Sequence, residues 1–444
     1  MAKRQSTPRS DYTVDLDWSK SGVKVEYQPR RTFGIEAVDY QERVNYDRLR
    51  KERLQRLQDQ MQKFGFAALF LNGFGDNIRY ATGTWDMGWR GGGPMRYCIV
   101  PAKGDPVLFE TAGDMETYKM HCPWLKGKIR PAVIYRFVPA GPMMYYLKLH
   151  IKQIKDCLIE LGINLKGDKI GFDGIDPFVL ESFKEAGVNL VPGYEPIAQA
   201  RVIKTKDELE ILKQGCAIMD TAFWHLKYEW VKPGVTEKQI LGKIMGYLWD
   251  HNFQSAGFAV VASGGNTNPY HRGYTDRIVR PGDMIIFDLA GLYFNGYVVD
   301  YIRCWPVDAK FTPEQKAAYK KCYNTLMSAL KAMKPGGSSA DVCKEFPKCL
   351  DDEGTWTGLE SIHSMGLATH EGLMATRGHS FEYPDVFEQN MYFAVETFET
   401  YPGLDWSVRL EENGVITDKG FVPFTLFPFE EEVLEGTPVG ELIP

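Results

Sequence analysis

Five residues able to ligate a cation, Asp288, Asp300, His363, Glu396 and Glu411, follow one another through the last third of this 444-residue chain, each at the edge of an apolar run. Such groups are costly to bury unless they are paired, hydrogen-bonded or bound to metal. A fold that buries the apolar runs must therefore find a partner for each. Four carboxylates and one imidazole suit a pair of divalent cations better than an ordinary core.

The local sequence constrains how they meet. Asp288 closes Met284-Ile285-Ile286-Phe287, and Asp300 lies between Tyr297-Val298-Val299 and Tyr301-Ile302-Arg303. Asn295-Gly296 between these runs is a strong two-residue hairpin signal, placing both aspartates on adjacent antiparallel strands. A regular ladder around that turn sets Asp288 opposite Arg303 and Asp300 opposite Gly291. Because side chains alternate along a strand, the two carboxylates would then point to opposite faces. One extra residue within Leu289-Ala290-Gly291 returns them to one face, so a bulge is predicted there. Glu396 ends Met391-Tyr392-Phe393-Ala394-Val395, and Glu411 ends Ser407-Val408-Arg409-Leu410; both read as strands. Alternation allows only one of Glu411 and Glu412 to face inward. Taken singly, an aspartate after a strand is usually a turn residue and a histidine beside glycine a structural one. It is the set that points to metal.

The order Asp, Asp, His, Glu, Glu, with Ile362-His363-Ser364-Met365-Gly366-Leu367-Ala368-Thr369-His370-Glu371 and Val408-Arg409-Leu410-Glu411, resembles the pita-bread metalloenzymes: aminopeptidase P, prolidase, methionine aminopeptidase and their creatinase-like relatives. The stretch from Arg43 to Ala200 resembles the amino-terminal domain of the creatinase, prolidase and aminopeptidase P branch. Residues 1–42 read as a polar, irregular arm with several aromatics, and the resemblance implies an α/β creatinase-like domain at 43–200 and an α+β pita-bread catalytic domain at 201–444. It also implies two divalent metal ions, Mn, Fe, Co or Zn, that activate a bridging hydroxide, and a homodimer acting on a small molecule or short peptide. Creatinase lacks the metal ligands, whereas this chain keeps all five.

Asp288 and Asp300 stand twelve positions apart, one more than is usual in the peptidases. That spacing resembles the dimethylsulfoniopropionate lyases of the same superfamily. So do Asn77-Ile78-Arg79-Tyr80-Ala81-Thr82-Gly83-Thr84, Thr267-Asn268-Pro269, Val395-Glu396-Thr397-Phe398 and Leu410-Glu411-Glu412. Two acidic positions of those lyases are replaced, however, by Ala290 and by Thr369, the latter at the place of the proposed base.

The histidines resemble those of the hydrolases. His271, after Asn268-Pro269-Tyr270, matches the substrate-binding histidine of the aminopeptidase P branch, and His370 matches the one that steadies a tetrahedral intermediate. Amide hydrolysis needs a nucleophile at neutral pH and positive or hydrogen-bonding partners for the oxyanion. In this reading the metals and His370 supply them, and Glu396 relays a proton to the leaving nitrogen. The expected activity is hydrolysis of a small amide or Xaa-Pro peptide, the alternative a metal-dependent carbon-sulfur lyase acting on dimethylsulfoniopropionate or a similar cation. Arg409 either steadies a ligand carboxylate or sits on a strand surface.

The glycine-rich stretch Trp85-Asp86-Met87-Gly88-Trp89-Arg90-Gly91-Gly92-Gly93-Pro94 lacks the Gly-Lys-Ser/Thr ending of a phosphate loop. Trp85, Trp89 and Tyr270 are candidates for an aromatic box around a cationic substrate, against the ordinary reading as packing. A formal net charge of −6 provides no overall basic field for nucleic acid, and no apolar run approaches membrane-spanning length. Eight cysteines without a Cys-x-x-Cys pair read as reduced thiols. Basic residues at the start are not followed by an apolar core, so no secretory signal is read and cytoplasm is the expected compartment.

Overall fold

Leu49, Leu57 and Met61 recur at helical spacing on Tyr46–Lys63 and are buried there, while Leu54 is only partly covered. The computed structural model describes residues 44–85, 95–136, 139–256, 258–268, 272–346, 362–400 and 404–434. From Tyr46 on, the described residues form one compact unit; the arm expected at 1–42 lies outside the described residues.

The amino-terminal half is built on six strands: β1 (Ala68–Leu71), β2 (Tyr97–Pro101), β3 (Val107–Glu110), β4 (Ile129–Pro131), β5 (Ile170–Phe172) and β6 (Leu190–Pro192). They lie in the order β4-β3-β2-β1-β5-β6, with β1, β5 and β6 parallel to one another and β2 antiparallel to β1. Alternate residues Ala68 and Phe70, with Tyr97, Ile99 and Phe109, pack against the helices Ala140–Glu160 and Pro177–Glu185. Burying each large side chain contributes roughly 1.5–3 kcal/mol. After β5, the buried Asp173 accepts hydrogen bonds from the backbone of Asn72 and Gly73, both at 2.8 Å, and from Asn77 Nδ2 at 2.9 Å.

The helix Lys206–His225 opens the second half, with Thr205 and Glu208 forming a reciprocal cap, and a π-helical turn, Leu226–Trp230, continues it. At Gly215 its backbone runs against the sheet, where a Cβ would stand 2.7 Å from Val299 Cγ2. Among the described residues, eleven further strands follow: β7 (Phe253–Ala256), β8 (Val260–Ser263), β9 (Met284–Asp288), β10 (Leu292–Phe294), β11 (Tyr297–Val299), β12 (Ile302–Pro306), β13 (Ile362–Ser364), β14 (Met374–Ala375), β15 (Tyr392–Glu399), β16 (Val408–Thr417) and β17 (Gly420–Pro423). They form two three-stranded sheets, β11-β10-β7 and β12-β9-β8, and a five-stranded one, β14-β13-β15-β16-β17. This is the mixed α/β then α+β plan expected from the sequence. Among the described residues no helix is long and apolar enough to cross a membrane.

The hairpin forms at Asn295-Gly296, whose φ angles of 50° and 85° are those of a type I′ turn. Leu292 pairs with Val299 and Phe294 with Tyr297, whereas further along Asp288 pairs with Ile302. Leu289, Ala290 and Gly291 therefore face only Asp300 and Tyr301. This is the predicted bulge, with Gly291 at φ 62° and Leu289 N donating to Tyr301 O at 3.0 Å. It returns Asp288 and Asp300 to one face.

Candidate metal centre

Glu396 on β15 stands directly opposite Glu411 on β16, and His363 on β13 pairs with Ala394 beside them. Ligand atoms of Asp300, His363 and Glu411, all buried, lie within 4.8 Å of one another. His363 Nε2 is 3.7 Å from Asp300 Oδ2. Its Nδ1 is 2.8 Å from the Thr369 carbonyl. Since a carbonyl can only accept, Nδ1 carries a proton, and Nε2 is the nitrogen turned to the carboxylates, the one a metal ion would take. Asn413 steadies the group from β16: its Oδ1 accepts from Asp300 N at 3.0 Å, and its Nδ2 lies 3.5 Å from Glu411 Oε1.

Asp288 and Glu396 are gathered by a different residue. Arg409 Nη1 donates to Asp288 Oδ2 at 2.6 Å, and Nη2 donates to Glu396 Oε2. Arg409, Glu411 and Asn413 alternate along β16, so all three face the centre. Arg409 is buried, which decides between the two readings left open for it. Glu412 points the other way and is taken by Arg303 and Thr425; Glu411 is the inward residue.

The electrostatics favour added positive charge. Burial, followed by the neighbouring Asp288 and Glu396, holds the Asp300 carboxyl well above the usual carboxylate range. Burial raises Glu411 in the same way, with Asp300, Glu396 and Asp288 as its charged neighbours. Among the described contacts, Arg409 brings one guanidinium to this group of four carboxylates. Glu411 Oε2 is buried without a hydrogen-bond donor. These residues thus fit a divalent cation: an orphaned oxygen, an imidazole with Nε2 turned to the carboxylates, and surplus negative charge.

His370 is exposed, with its ring centroid 4.5 Å from that of His363 and the planes tilted by 44°. The next residue, Glu371, is buried, and its carboxylate binds Arg201 and Lys204. Trp85 lies in the amino-terminal half, where its carbonyl accepts from Tyr118 Oη; no described contact joins it to the carboxylate centre. Trp89, Tyr270 and His271 lie outside the described residues. The segment leading to 269–271 is pinned by Glu237, which accepts from the backbone of Ser263 and of Thr275, each at 2.8 Å.

Asn413, Glu371 and Glu237 were not read from the sequence as contributors. Alternation from Arg409 through Glu411 carries a signal for Asn413. Glu371 and Glu237 act through residues far away in the chain, which no local pattern marks.

Residues 210–418 match the model of metallopeptidase family M24, and residues 53–203 match the creatinase/prolidase amino-terminal domain. The chain is 30% identical over 244 residues to an Xaa-Pro dipeptidase of Lactobacillus delbrueckii, an alignment that spans 54% of this chain and 64% of that protein, just under two thirds of its length. It is 25% identical over 377 residues to a dimethylsulfoniopropionate lyase of Roseovarius nubinhibens, covering 81% of each. Dipeptidase PepE from Mycobacterium ulcerans superposes with a TM-score of 0.69 at 23% identity, covering 87% of this chain and 98% of that one, a likeness of fold.

Proposed function

This chain belongs to the pita-bread superfamily of creatinase, aminopeptidase P and prolidase, with local likeness to its dimethylsulfoniopropionate lyase branch, and on that premise we propose a metal-dependent hydrolase of a small amide or Xaa-Pro peptide. Asp300, His363 and Glu411 would hold one divalent ion, and Asp288 and Glu396 would complete a pair with them. Bound there, such ions supply a nucleophile at neutral pH and offset negative charge as it develops.

The chain's own residues perform the remaining tasks. Arg409 orients the Asp288 and Glu396 carboxylates. Glu396, only partly buried with its side chain 13% exposed, can pass a proton between the centre and a leaving nitrogen, a role that needs only hydrogen-bond reach. His370 offers a ring N–H to an oxyanion. The observation that carries the hydrolase reading is this exposed imidazole beside the buried His363, with no carboxylate at Thr369 to take a proton from carbon. His271 and Tyr270 would contact substrate, with Trp85 and Trp89 as the aromatic walls of its pocket. Domains at 43–200 and 201–444, a cytoplasmic homodimer and a second ion complete the reading; the two family matches, 53–203 and 210–418, support the domain division.

One set of observations favours elimination instead. The lyase match runs through both halves of the chain, and the bulge at 289–291 accommodates the lyase-like aspartate spacing. Against it, Ala290 is apolar and buried within that bulge. The test is to load the protein with Mn²⁺, Co²⁺ or Zn²⁺ and offer Xaa-Pro dipeptides and, separately, dimethylsulfoniopropionate. Free amino acid that disappears with Asp300→Ala and falls in kcat with His370→Ala supports the hydrolase. Release of dimethyl sulfide without peptide cleavage would overturn it.

A further inference from the structure

The loop that presents His370 is fastened from behind by a buried ion network reaching into the amino-terminal half. Glu371 accepts from Arg201 Nη2, from Lys204 Nζ at 2.8 Å and from Ala368 N at 3.2 Å. All three charged side chains are nearly inaccessible, at 5% for Glu371, 7% for Arg201 and 0% for Lys204. Arg201 Nη1 continues to Asn77 Oδ1 at 2.6 Å, and Asn77 Nδ2 to Asp173 Oδ2 at 2.9 Å. Asp173 closes the loop after β1, and Arg201 and Lys204 lie just before the helix that opens the second half. The chain Asp173, Asn77, Arg201, Glu371 thus links one half of the protein to the residue after His370.

The loop is shaped around this carboxylate. A Cβ on Gly366 would stand 1.8 Å from Glu371 Oε1, so a larger residue there would push the carboxylate out of its place beneath the turn. Glu371 N donates to Ser364 O at 3.0 Å, Gly366 N to Ala368 O at 3.1 Å, and Val298 N to Gly366 O at 2.7 Å. Glu371 points inward while His370 is exposed beside His363. Fastening one therefore fixes the direction of the other.

We propose that Glu371 is a positioning residue for His370, held by Arg201 and Lys204, and that Asn77 transmits the amino-terminal half's hold through Arg201. This rests on the reading of His370 as the oxyanion donor. A buried network is also consistent with a purely structural role, in which stability would change and turnover by the folded protein would not. Misplacing a reacting group by about 1 Å can cost about 100-fold in rate, so the two roles are separable.

The experiment compares Glu371→Gln, Asn77→Ala and His370→Ala, singly and in pairs, in the full metal-loaded chain, with melting curves to score folding. Expected are falls in kcat of about 10-fold or more for Glu371→Gln and a smaller fall for Asn77→Ala, with KM unchanged, and no further fall when either is added to His370→Ala. Folded variants with wild-type kcat, or falls that multiply with that of His370→Ala, would overturn the proposal. Should Glu371→Gln fail to fold, Asn77→Ala, whose side chain is joined to Glu371 through Arg201 among the described residues, decides. If His370→Ala alone leaves turnover intact, the reading of His370 has failed. Positioning is then judged from the ¹⁵N-labelled ring resonances of His370, which should shift in Asn77→Ala; unchanged resonances overturn it.

Discussion

Arg409 donates to Asp288 at 2.6 Å with both side chains 3% exposed, so a fixed guanidinium holds a candidate metal ligand within the carboxylate centre. Replacing it with Met should remove the guanidinium from the buried Asp288 and the partly buried Glu396, and breaking the buried pair with Asp288 costs about 3–5 kcal/mol. Denaturant midpoints measured with and without Mn²⁺ check this. The deficit is expected to shrink when the ion is present, because the ion supplies the missing charge. Arg409→Lys should rescue only in part, since an ammonium does not reproduce the guanidinium's fixed fork.

Adjacent glutamates should behave differently. Glu411→Gln is expected to abolish the rise in melting temperature produced by Mn²⁺ or Co²⁺, which in the wild type reflects a stabilisation of about 2.7 kcal/mol at 100 times Kd. Glu412→Gln should keep that rise but melt lower throughout, because Arg303 loses its buried carboxylate partner. Calorimetry with a cation titration separates the two. An unaltered cation response in Glu411→Gln would remove that residue from the ligand set.

Gly366→Ala tests the fit beneath the His370 loop. The added methyl meets Glu371 Oε1, and overpacking of this kind costs about 1–3 kcal/mol. Thermal melts should show it. Gly113→Ala, where a Cβ meets nothing within 4 Å, serves as the control.

His150 makes stability depend on acid. Its ring lies among Phe70, Tyr97 and Tyr135, Nδ1 donates to Val133 O at 2.9 Å, and burial pushes its pKa down to about 4 from 6.5. The unfolded chain then binds the proton more readily than the folded one. The contribution is complete above pH 6.5 and is lost as pH falls toward 4, by at most about 3 kcal/mol at 1.36 kcal/mol per unit. Denaturant midpoints between pH 7.5 and 4.5 should therefore fall less steeply in His150→Phe than in the wild type.

Period and turn chemistry made much of the fold legible. The 46–63 helix, the Asn295-Gly296 hairpin and the strands carrying Glu396 and Glu411 depend on contacts within a few residues of one another. Even the bulge followed from counting, because two aspartates twelve positions apart around a two-residue turn share a face only if one residue is extra. Those rules do not register a partner more than a hundred residues away. Glu371, which is joined to Arg201 and Lys204 and through Arg201 to Asn77, looked like the tail of a histidine motif. Trp85 looked like part of an aromatic box, yet its described hydrogen bond is with Tyr118.

The sequence alone therefore determined the order of the candidate ligands, the hairpin that aligns two of them and the plan of the two halves, since these follow from local backbone preference and side-chain alternation. Tertiary structure decided how the ligands are apportioned. It placed Asp300, His363 and Glu411 together, gave Asp288 and Glu396 to Arg409, and turned Glu412 away to Arg303. Charge pairing in a buried site depends on which strands lie side by side, and only the folded sheets bring those strands together.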